Sequence, residues 1–132
     1  MTAPRLVEAT ATLRARDVMA LAEWYRDKLG FSIQMSWGEP ADYARVHRDA
    51  VELGIGRLDA RFGPAAVYAI VTGVDGLYAE FLERGVAISR EIGDQPYRMR
   101  DFDLFDPEGN RICFGEALER VGERAGRAAS AV

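Results

Sequence analysis

The chain of 132 residues is 48% hydrophobic and 29% charged, enough for one globular domain with a single core. Its net charge of −4, with 21 acidic and 17 basic side chains interspersed, argues against a nucleic-acid surface built on counterion release. No apolar run approaches the roughly 20 residues that cross a bilayer. The start, MTAPRLVEATAT, lacks an apolar stretch of signal-peptide length, so the cytoplasm is the expected location. The single cysteine, Cys113, leaves no internal disulfide and fits a reducing compartment.

From Glu8 to Arg16 the residues alternate, with Ala9, Ala11, Leu13 and Ala15 on one face of a half-buried strand. Asp17 stands where a helix N-cap is wanted, and Val18, Leu21, Ala22, Tyr25 and Leu29 fall on one helical face. Gly30 suits the left-handed position that closes such a helix. Phe31–Trp37 alternates as a strand, broken by Gly38, Glu39 and Pro40. Two more strands follow. Tyr43, Arg45 and His47 oppose Ala44 and Val46 in the first, and in the second Val51, Leu53 and Ile55 share a face, leaving Glu52, Gly54 and Gly56 opposite. Small residues around an acid suggest a concave, accessible face.

Leu58–Pro64 reads as a seam, after which the same order begins again: a strand over Ala66–Val71, a helix carrying Val74, Leu77, Tyr78, Phe81 and Leu82, a closing Gly85, and a strand over Val86–Ile92. A polar loop over Gly93–Tyr97 leads to DFDLFDPEGNRICFGE (Asp101–Glu116), whose Asp106–Asn110 turn places Phe102, Leu104, Ile112 and Phe114 in one hairpin. The order strand, helix, three strands is thus predicted twice, over about 8–57 and 65–116 of one domain spanning 1–116. The tail, 117–132, is rich in Ala, Arg and Glu and is assigned no chemistry.

This doubled order, with ARDVMALAEWYRDKLGF in the first half and RDFDLFDPEGNRICF at the end, resembles the vicinal oxygen chelate superfamily of glyoxalases, extradiol dioxygenases and bleomycin resistance proteins. The resemblance implies an α+β fold in which two βαβββ modules form a curved mixed sheet with a cleft. Metal-using members place ligands on the first and last strand of each half. Carried onto this chain, those positions are Thr10, Glu52, Ala66 and Cys113, of which only Glu52 is a typical ligand type. The chain has one histidine, His47, so a triad of two histidines and a carboxylate cannot be built within it. No metal or other cofactor is expected.

The cadence DYARVHRDAVELGIG, then VYAIVTGVDGLYAEFLERGV, then RDFDLFDPEGN resembles the bleomycin resistance branch most closely. It implies a homodimer that sequesters an aromatic, cationic antibiotic or metabolite in its clefts without chemical change. That task asks for aromatic stacking surface and acids. The candidates are Trp37, Tyr43, Tyr68, Tyr97 and Phe102, with Glu52, Glu39 and Asp42 as acidic partners. The alternative reading is an enzyme of the same superfamily, a glyoxalase-like lyase, isomerase or thiol transferase. Neither a membrane nor a nucleic-acid partner is expected.

Overall fold

The computed structural model describes residues 3–118, so the tail from residue 119 onward lies outside the described residues. The first half runs β1 (Ala11–Ala15), α1 (Val18–Leu29), β2 (Ser32–Trp37), β3 (Tyr43–Arg48) and β4 (Val51–Arg57). The second runs β5 (Ala66–Ile70), α2 (Val74–Glu83), β6 (Arg90–Asp94), β7 (Met99–Phe105) and β8 (Arg111–Ala117). These are two βαβββ units, and each closes its own four-stranded mixed sheet, in the orders β1-β4-β3-β2 and β5-β8-β7-β6. In both sheets the first strand runs parallel to the last, while the other pairs are antiparallel. Among the described residues no helix is long and apolar enough to cross a membrane.

Helix α1 begins because the Asp17 side chain accepts from the Ala20 N–H at 3.0 Å, and it ends at Gly30, whose φ of 76° is left-handed. Its buried face, Val18, Leu21, Ala22, Tyr25 and Leu29, covers the inner row Leu13, Ala15, Ala44, Val46, Leu53 and Ile55. Helix α2 has Gly73 at its N-terminus and no capping side chain of its own. Instead, Glu116 on β8 accepts from the Gly73 and Val74 N–H groups at 3.1 and 3.0 Å, so a carboxylate distant in sequence supplies the cap.

Two elements differ from the sequence reading. The strand expected over Val86–Ile92 is displaced to Arg90–Asp94. The Val86 N–H donates to the Phe81 carbonyl at 3.0 Å just after the left-handed Gly85, so Val86 closes α2 and packs into the core before any strand begins. On β2, a register shift between Ile33 and Met35 interrupts the expected alternation, and Met35 and Trp37 stand exposed.

Asn110 is the buried latch between the two halves at the Asp106–Asn110 turn. Asn110 Oδ1 accepts from the N–H of Arg14 on β1 at 3.1 Å and from that of Ala65 at 2.9 Å, while its Nδ2 donates to the Arg14 carbonyl at 3.0 Å. Asp106 holds Asn110 in place and also accepts from the Tyr25 hydroxyl at 2.8 Å. The turn read from sequence as a good hairpin therefore also joins the halves, and all its buried polar groups have partners.

Candidate functional site

Because alternate strand residues face opposite sides, the row that does not meet the helices lies on the concave face of each sheet. On the first sheet this row includes Thr12, Tyr43, Arg45, His47, Glu52 and Gly54, and on the second Tyr68, Asp101, Asp103, Cys113 and Gly115. The glycines have a use. A Cβ on Gly54 would stand 2.6 Å from the Tyr43 hydroxyl, and one on Gly115 would collide with the Tyr68 ring, so both tyrosines lie flat on a glycine floor.

The parallel registers place Thr10 beside Glu52, because Ala11 pairs with Leu53, and place Tyr68 opposite Cys113. Ala66, the position carried over from the resemblance, pairs instead with Arg111, two positions along the strands from Tyr68 and Cys113. Thr10, Glu52 and Tyr68 line a cleft of about 500 Å³ where the halves meet, together with Glu8. Glu52 is half-buried, and its nearest cation, Arg45 Nη1, stands off at 3.5 Å.

The concave face of the second sheet is a closed polar network. Asp101 Oδ2 accepts from the hydroxyls of Tyr68 and Tyr97, each at 2.7 Å, while Oδ1 lies 2.9 Å from Arg90 Nη1, and those two buried atoms have no other polar partner. Asp103 accepts from Arg90 Nη2 at 2.7 Å and from Arg111 Nε at 2.9 Å. Burial alone would raise both carboxyls, but the tyrosine and arginine donors outweigh it and hold Asp101 and Asp103 below the usual carboxylate range. The Tyr68 phenol is pushed upward by burial and by its bond to Asp101. Burial, reinforced by Asp103, pushes the Cys113 thiol up to about 12.

The donor set does not fit the divalent metal that some proteins of this architecture use. Thr10 is a weak ligand, the Tyr68 hydroxyl is committed to Asp101 and Cys113 is buried outside the cleft lining, which leaves the carboxylates Glu8 and Glu52, fewer than the three protein donors such a metal needs. Among the described residues no three His, Cys, Asp or Glu side chains come together as a metal set.

Of the residues expected to contact a ligand, Glu52 and Tyr68 share the cleft, and Tyr97 is tied to Tyr68 through Asp101. Tyr43 lies further along the first concave face, its hydroxyl accepting from Arg45 Nη2 at 3.3 Å. Trp37, 66% exposed, is on the edge strand β2, paired with Tyr43 and outside the cleft. Phe102 requires correction. It is fully buried on the helix side of β7, stacked on Phe114 and set edge-on to Phe81 and Tyr78, and has no surface to offer a ligand. Asp42 is engaged by Arg57 at 3.0 Å, and Glu39 borders a different hollow beside Pro40. The sequence reading passed over Glu8, Asp101 and Asp103. The alternation of acids with Phe102 and Leu104 in DFDL was the available signal for the last two.

Two like halves, each a βαβββ unit, flank one cleft lined from β1 and β4 of the first and β5 of the second, the arrangement of a duplicated two-module α+β fold. The chain belongs to the Glyoxalase/Bleomycin resistance protein/Dioxygenase superfamily, whose sequence profile matches residues 7–114. Similar crystal structures include the bleomycin-binding protein from bleomycin-producing Streptomyces verticillus complexed with copper(II)-bleomycin, 24% identical, covering 89% of this chain and 100% of that one at a TM-score of 0.70. TioX from Micromonospora sp. ML1 is 18% identical, covering 84% and 100% at 0.71. Lactoylglutathione lyase from Agrobacterium tumefaciens is 19% identical, covering 86% and 96% at 0.69. At these identities the likeness shows the fold and leaves the activity to the site. No curated protein matches the sequence.

Proposed function

We propose that the chain is a metal-independent small-molecule binding protein that sequesters an aromatic, cationic antibiotic or metabolite in the Glu52–Tyr68 cleft. The observation that carries this reading is the makeup of that cleft. Its two charged side chains, Glu8 and Glu52, are both acids, and the aromatic ring between the halves, Tyr68, is held flat by Gly115 below and Asp101 at its hydroxyl. A cation is attracted by the acids, and a planar ring stacks on Tyr68. No activated nucleophile lines the cleft, since Cys113 is buried outside it and the Tyr68 hydroxyl is engaged by Asp101. The reading extends to a homodimer, resident in the cytoplasm, conferring resistance by sequestration.

The test is a titration of the metal-stripped protein with copper-loaded and metal-free bleomycin, following Trp24 and Trp37 fluorescence and heat, with oligomeric state measured by analytical ultracentrifugation. The expected result is saturable binding to a dimer, ligand recovered intact by mass, and affinity about tenfold lower in Glu52→Gln and Tyr68→Ala, the effect of one desolvated charge or stacking contact. Time-dependent chemical change in the ligand, or indifference to both substitutions, would overturn the reading.

A further inference from the structure

The cleft leaves a second hollow unexplained. A cavity of about 310 Å³ lies beneath the β3–β4 turn, on the helix side of the seam, walled by Phe31, Val71, Leu77, Phe81 and Phe114. Its origin is visible in the duplication. Tyr25 and Phe81 occupy the same place, seven residues after the first residue of α1 and of α2. At the Tyr25 end, the Asp106–Asn110 turn reaches across the seam and fills it with hydrogen bonds. At the Phe81 end, the turn between β3 and β4 is only Asp49 and Ala50, which is too short to reach across, and Phe81 has no hydroxyl to bind.

The chemistry of the walls selects the occupant. The nearby guanidinium, Arg48, is already bound by both oxygens of Glu80 at 2.8 and 2.9 Å and by the Leu29 carbonyl at 2.8 Å, so it has little to offer an anion. The exposed Asp49 and Thr72 stand at the rim and the interior is apolar. An apolar cavity of about 150 Å³ takes benzene. Roughly twice that volume suits two fused rings. We propose that this cavity is a second small-molecule site, distinct from the cleft, for a neutral apolar molecule of bicyclic aromatic size.

The proposal is tested by titrating the isotope-labelled full chain with indole and following backbone amide resonances. The expected result is one saturable site whose shifts centre on Val71, Thr72 and Leu77, with indole-3-acetate at least tenfold weaker because its carboxylate finds no free cation. Leu77→Trp fills the hollow from α2 and is expected to abolish the shifts. Thr72→Phe fills it from the exposed rim and serves the same purpose should the first variant fail to fold. Ala50, Val51 and Ile70 line both this hollow and the cleft, so the location of the shifts decides the matter. Shifts centred on Glu52 and Tyr68, no saturation at millimolar indole, equal binding of the acid, or binding unchanged by a folded filling variant would each overturn the proposal.

Discussion

The two halves share one backbone plan but differ in where their polar groups go. In the second half, Asp101 and Asp103 are buried and matched by Arg90, Arg111, Tyr68 and Tyr97, while Asp106 and Asn110 close the seam. In the first half, Glu52 occupies the strand position that Cys113 holds in the second, yet it is half-exposed with its cation at 3.5 Å, and the seam end beneath Asp49 is hollow. The duplicated fold thus divides its labour. One half satisfies its buried polar groups internally, and the other leaves a carboxylate partly exposed and a hollow unfilled.

The sharpest contrast is chemical. With its thiol pushed up to about 12, Cys113 holds on the order of a thousandfold less thiolate than an ordinary cysteine. Disulfide-exchange labelling at pH 8 should therefore be about that much slower in the native protein than in urea, and rapid native labelling would show the second half to be open. Next comes the seam. Asp106→Ala strands the Tyr25 hydroxyl and the Asn110 amide in the interior, an expected loss of about 3 kcal/mol in urea denaturation. At the hollow end Arg48→Ala removes a pair about one-third exposed on each side, and solvent screening holds the loss to about 1 kcal/mol. Equal losses would erase the distinction between the two ends.

On the concave faces, Asp101→Asn removes one of the two buried carboxylates that face Arg90, leaving Asp103, and takes the anion from the Tyr68 and Tyr97 hydroxyls, which should cost about 2 kcal/mol. Glu52→Gln should move stability by no more than about 0.5 kcal/mol, its effect falling on ligand affinity instead. The smallest effect is a pair of opposed pH slopes. Asp101 is held below its ordinary value, so its contribution is present above pH of about 4 and is lost as pH falls through its folded value. Burial raises Asp106 against the bonds from Asn110 and Tyr25, so the folded state takes up its proton first, and stability relative to Asp106→Asn rises as pH falls toward about 4. Urea midpoints of the wild type and the two asparagine variants between pH 7 and 3.5 should show differences running in opposite directions.

Much of the fold was legible because local rules act within a few residues. Asp17 and Gly30 cap α1, the alternating rows of β3 and β4 separate core from concave face, and DPEGN makes a hairpin, each by chemistry confined to its own segment. Phe102 was misplaced because aromatic character alone does not tell the helix side of a strand from the cleft side, whereas its parity with Leu104 does. Val86 and Ile88 read as strand residues because apolar alternation is shared by a strand and by the chain that closes a helix.

By itself, then, the sequence determined the duplicated order of elements, the inner rows of β3 and β4 and the turn within the chain's last hairpin, because neighbouring residues decide these. Only the tertiary structure decided that Glu116 caps a helix more than 40 positions away, that Tyr68 and not Ala66 faces Cys113, that Asp101 binds two tyrosines, and that Asn110 joins the halves. Each of those contacts links groups far apart in the chain. Their partners are set by strand register and by how the two sheets meet, and neither leaves a local trace in composition or periodicity.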